Sequence, residues 1–158
     1  MEVKIMYAAG LFFLGWLWFY LFPRQFLFNL MTAYPLIRKM RSLQPDLIAP
    51  GAVRYTSVSV AVSVFFSALL LAIVLWLCPL YLILGFAVGA VLGLGMYITR
   101  LSPQNRPMFD AFCAGYYRFV PDDELRTAMY NKKTGQIKVR LRAMGIAGSF
   151  VPEFKKEN

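Results

Sequence analysis

Residues 55–99 read YTSVSVAVSVFFSALLLAIVLWLCPLYLILGFAVGAVLGLGMYIT, a stretch without a single charged side chain. At ~1.5 Å per residue a continuous helix of this length would reach about 67 Å, roughly twice a ~30 Å hydrocarbon core. It therefore has to fold back. Pro79, in Cys78-Pro79-Leu80, supplies the break because it has no N–H and its ring clashes with the preceding turn. The segment predicts two spans, about 55–78 and 80–99, joined as a tight hairpin.

A second apolar run, Val3 to Phe22, carries only Lys4. It is longer than the ~7–15-residue core of a secretory leader, and Pro23-Arg24-Gln25 follows it in place of a small-residue cleavage site. It reads as a retained span, about 4–22. The whole chain fits this class, with 59% hydrophobic and 16% charged residues against about 25% charged in soluble domains. The fold expected is an all-α membrane protein. Four segments follow: span one (1–22), a basic linker (23–54), a two-span hairpin (55–99) and a basic tail (100–158).

Charge sets the expected orientation. Of the 17 Lys and Arg residues, only Lys4 falls on the side of the N-terminus and hairpin tip; the linker and tail hold the rest. Basic residues near span ends mark the cytoplasmic side. A multi-pass cell-membrane protein with its N-terminus outside and its C-terminus in the cytoplasm is expected. Cys78 and Cys113 then lie on opposite sides, which excludes a disulfide between them.

In the linker, Leu36, Ile37, Met40 and Leu43 share one helical face, while Arg38, Arg41 and Ser42 share the other and Lys39 stands at the boundary. A basic amphipathic helix beside a bilayer is expected to lie in the headgroup plane, the alternative being a cytosolic helix that packs its apolar stripe on the tail. In the tail, Phe109, Phe112, Cys113, Tyr116 and Val120 keep helical spacing. Asp122, Asp123 and Glu124 suit a helix start, Lys132 and Lys133 its end, and Gly135 the residue after it. Ile137, Val139 and Leu141 alternate with Lys138, Arg140 and Arg142, consistent with one strand; Ile137, Leu141 and Met144 fit a helix equally. Phe150 to Asn158 reads as a frayed end.

Two ridges of small residues stand out. Gly85, Gly89 and Gly93 form overlapping GxxxG motifs, and Ser59, Ser63 and Ser67 repeat at the same spacing in the second span. Spans in lipid associate through close backbone approach at small residues, so these are the candidate packing or oligomer surfaces, and the hairpin would set one ridge against the other. Arg38, Lys39, Arg41, Lys138, Arg140 and Arg142 are the candidate contacts to anionic lipid headgroups or an acidic partner. Nucleic acid is not expected as a partner, since no recognisable binding motif accompanies the charge.

Catalytic chemistry finds little footing. There is no histidine, and no phosphate-loop, zinc-protease, nucleophile-elbow or CxxC pattern. The reading expects no catalytic residue, metal or cofactor. It favours a non-enzymatic subunit that anchors or assembles a larger complex through its spans and basic tail. An oligomeric pore or transporter component is the alternative. A membrane enzyme acting on a lipid-linked substrate, using the acidic run beside Arg118 and Arg126, comes third.

Overall fold

The computed structural model describes residues 2–154, and every regular element among them is helical. In chain order these are α1 (Glu2–Leu21), α2 (Pro23–Phe28), a π-helical turn (Asn29–Ala33), α3 (Tyr34–Leu43), a 3₁₀ turn (Pro45–Leu47), α4 (Gly51–Leu77), α5 (Leu80–Ile98), α6 (Arg106–Tyr116), a second 3₁₀ turn (Tyr117–Phe119), α7 (Asp123–Tyr130) and α8 (Thr134–Ala143). Two helical stretches, Met6–Leu43 and Gly51–Leu77, are long and apolar enough to cross a membrane, and Leu82–Ile98 is a shorter apolar helix. The chain forms two compact units. One comprises Met1–Leu27 with Val58–Arg100, the other Phe28–Ser57 with Leu101–Asn158.

In the first unit α1 and α5 run against each other. A Cβ on Gly89 would clash with the carbonyl oxygen of Phe12, and one on Gly15 with that of Phe86. A Cβ on Gly85 would come within 3.0 Å of the Ala8 carbonyl oxygen, and one on Gly93 within 2.8 Å of the Phe19 ring. Only glycine permits backbones this close. The partner of the glycine ridge is thus α1, where the sequence pointed to the serine ridge of α4. The physical reason is Gly15: it supplies a reciprocal notch, which no serine side chain can match. Aromatic rings flank the seam, with Trp18 and Phe86 centroids 5.4 Å apart and Phe19 and Tyr97 6.1 Å apart. At its end the Arg24 guanidinium lies over the rings of Tyr20 (4.3 Å) and Tyr97 (5.1 Å).

Helix α4 ends at Leu77 and α5 starts after Pro79, whose extended backbone opens the new helix. Phe66 of α4 stacks on Phe22 at 6.0 Å. Most large apolar side chains of α4 remain exposed, including Val58, Phe65, Leu75 and Trp76, the last at 85%.

The second unit has an ordinary buried core. Linker and tail fold together, so two segments treated separately in the sequence form one body. Leu36, Ile37 and Met40 are at most 3% exposed. This corrects the expectation that the apolar stripe of α3 faces lipid: the stripe is covered by protein, and only the basic face stays open. The segment around residue 137, open between strand and helix in the sequence, is helix α8. Ile137 and Leu141, four apart, are fully buried while Val139 is 66% exposed, so the helical period prevails over the alternation.

Helix α7 ends earlier than Gly135 suggested. Lys132 adopts φ 56°, its N–H bonds the Met129 carbonyl, and the Lys133 N–H bonds that of Ala128, a Schellman closure on a non-glycine residue. Gly135 lies inside α8, which closes by the same motif with Gly145 at φ 77°. The C-terminal segment is not frayed where described: Phe150 is fully buried and Val151 nearly so. Lys155–Asn158 lie outside the described residues.

Candidate functional site

The π-turn explains how α3 is presented. Pro35 cannot donate to the Met31 carbonyl, and its ring would crowd it. The helix widens there, and the Tyr34 N–H bonds the Asn29 carbonyl five residues back. This turn carries Asn29 and Thr32 into the core, both fully buried. The Tyr116 hydroxyl donates to Asn29 Oδ1 at 3.2 Å and lies 2.9 Å from Thr56 Oγ1, which donates to the Ala52 carbonyl at 2.8 Å. Burial pushes the Tyr116 hydroxyl pKa up, which keeps it neutral. The network ties the π-turn, α6 and the first turns of α4. Sequence reasoning missed it; Pro35 inside a helical pattern was the available signal.

The candidate cations separate into engaged and open groups. Arg140 is engaged: its Nε and Nη2 donate to Asp122 Oδ1 (3.0 Å) and Oδ2 (2.7 Å), and Nη1 pairs with Glu124 at 2.7 Å. The hydrogen bonds from Arg140 hold the Asp122 carboxyl below its usual pKa, helped by the Leu125 N–H that Asp122 accepts as the N-cap of α7. Arg140 therefore braces α7 against α8. Arg38, Lys39, Arg41 and Arg142 are exposed, and Lys138 is half-buried.

The second unit also contains a groove of about 580 Å³. Lys39 of α3 and Lys138 of α8 line it, together with Ser102, Gln104, Ser149 and Glu153; Leu36, Phe150 and Val151 form its apolar floor. The structure thus joins two of the sequence-derived cations, from segments about a hundred residues apart, in one cavity.

In the first unit, Gly85, Gly89 and Gly93 lie along the α1 seam, Ser63 is buried, and Ser59 and Ser67 are half-buried. The acidic run acts in helix starts and ion pairs: Asp122 as above, Asp123 with Arg126, Glu124 with Arg140. Arg118 lies over the Tyr55 and Phe119 rings, 5.7 and 5.9 Å from their centroids. Cys113 is fully buried, and burial, with a smaller effect of Asp110, pushes its thiol up to about 12, so no thiolate nucleophile stands there. Among the described residues no three His, Cys, Asp or Glu side chains cluster as a metal site.

Comparison with protein-family models, with curated proteins and with solved structures gives no match.

Proposed function

We propose that the chain is a non-enzymatic integral membrane subunit, with α1, residues 58–77 of α4, and α5 as its three spans. Its second unit is the cytoplasmic body through which it assembles with a larger membrane-associated complex. The observation that carries the reading is the contrast between the two units. The first leaves Phe13, Leu17, Phe65, Leu75, Trp76, Leu84 and Val91 exposed at 37% or more, whereas the second buries a normal core under a basic surface. Apolar patches of more than a few hundred Å² mark membrane or partner contact. At ~1.5 Å per residue, residues 58–77 would cover about 30 Å, one hydrocarbon thickness.

The orientation rests on the basic excess, which supports a cytoplasmic second unit and a Pro79 turn outside. In this reading α4 and α5 cross in opposite directions, while the close backbone contact of α5 is made with α1.

The test is purification of the tagged full chain from native membranes in mild detergent, after brief cross-linking. A protein recovered in stoichiometric amount, and lost when surface residues of the second unit are changed, supports the reading. A chain that purifies alone as a homo-oligomer and carries ion flux into liposomes overturns it in favour of a pore.

A further inference from the structure

The groove between α3, α8 and the C-terminal segment has a lining of definite chemistry. We propose that it is a binding site for one phosphate-bearing lipid headgroup, with Lys39 and Lys138 as the paired cations. The proposal rests on the membrane reading above and assigns it a specific ligand class.

Four observations converge. Lys39 and Lys138 line one cavity, and neither forms an ion pair with a carboxylate of the described residues. Ammonium groups act as point charges suited to phosphate, without the bidentate geometry that favours carboxylates. Two serine hydroxyls share the cavity, and each already accepts a backbone N–H: Ser102 Oγ from Gln104 at 3.2 Å, and Ser149 Oγ from Val151 at 3.1 Å. Each hydroxyl is thereby held in place with its own proton free to donate to an anion. The volume of about 580 Å³ lies in the range of small-molecule sites and admits a phosphodiester headgroup. Finally, the floor of Leu36, Phe150 and Val151 is apolar, which suits the glycerol and first acyl methylenes rather than a free inorganic ion.

Connectivity favours lipid as the source. Ser102 follows the last residue of α5, Ile98, by four positions, a maximum span of about 14 Å. If α5 crosses the bilayer, the Ser102 side of the groove is confined to the headgroup layer. Glu153, which also lines the groove, disfavours a densely acidic peptide, whose neighbouring carboxylates it would repel.

The experiment uses the full chain in a neutral detergent and titrates it with dihexanoyl phosphatidylglycerol by calorimetry. Dihexanoyl phosphatidylcholine, inorganic phosphate and a poly-glutamate peptide serve as comparison ligands. The expected result is saturable binding of the anionic lipid, weakened about 25-fold by Lys39→Gln with Lys138→Gln, at about fivefold per lysine. Lys132→Gln with Lys133→Gln removes the same charge from the exposed turn after α7, outside the groove lining, and should leave binding within about twofold. Equal weakening by both double variants would mean diffuse attraction and would overturn the site while leaving the membrane reading intact. Inorganic phosphate or the peptide binding as tightly as the lipid would overturn the headgroup assignment. Thermal midpoints of both variants within error of the parent exclude loss of fold as the cause.

Discussion

A Cβ placed on Gly89 would clash with the Phe12 carbonyl oxygen, so α1 and α5 touch backbone to backbone at this point. The seam depends on atoms that are missing. Gly89→Leu should push the two helices apart and lower stability in detergent by about 1–3 kcal/mol, the usual cost of overpacking. Gly95, four residues beyond Val91 on the same helix, has nothing within 4 Å of its Cβ position, and Gly95→Leu should be neutral. Thermal melts in one detergent check both; equal midpoints for the two variants would contradict the seam.

The hydroxyl of Tyr116 is the hinge of the buried polar network. Tyr116→Phe strands Asn29 Oδ1 without that donor and leaves Thr56 with the Ala52 carbonyl. A destabilisation of about 1–2 kcal/mol is expected from loss of a buried hydrogen bond. Val139→Ala, at a site 66% exposed, is the neutral control in the same chemical-denaturation series.

Asp122 gives the second unit a defined acid sensitivity. Its folded pKa is lowered by Arg140, so its contribution is complete above the ordinary carboxylate value of about 4 and is lost as pH falls through the lower folded value. Asp122→Asn should therefore be less stable than the parent at pH 7. The gap should narrow as the pH falls below the ordinary carboxylate value. A gap independent of pH would show that the charge of Asp122 contributes nothing to stability.

Lys132 closes α7 in a left-handed conformation that costs a side-chain-bearing residue about 1 kcal/mol or more. Lys132→Gly should raise stability by about 0.5–1 kcal/mol, the residual gain after the extra freedom of glycine in the unfolded chain. A loss of stability would mean that the lysine side chain contributes more than its backbone strain removes.

Legibility in the sequence followed the range of the interactions. The uncharged run from Tyr55 to Thr99, the break at Pro79 and the α6 spacing of Phe109, Phe112 and Tyr116 are local patterns, and helices stand where they pointed. The partner of the glycines was not local. Gly85, Gly89 and Gly93 announce a close approach but not its target, and chain proximity favoured the serines of α4. Gly15, lying in an apolar run without a repeat, was the counterpart to read. The basic groove was similarly hidden, because Lys39 and Lys138 meet only through the fold of the second unit. Residues 137–141 satisfied both periods, and burial of Ile137 and Leu141 decided between them.

The proposed topology is a membrane-spanning chain with the Pro79 turn outside and the second unit in the cytoplasm. Cysteine accessibility tests it most directly, on a background carrying Cys78→Ser and Cys113→Ala. Leu80 is 74% exposed, and Ser42 and Gly135 are exposed, so Leu80→Cys, Ser42→Cys and Gly135→Cys each present a thiol that geometry leaves open. In intact cells an impermeant maleimide should label Leu80→Cys alone, with Ser42→Cys and Gly135→Cys reacting only after permeabilisation. Labelling of Ser42→Cys and Gly135→Cys in intact cells, with Leu80→Cys protected, would contradict the account.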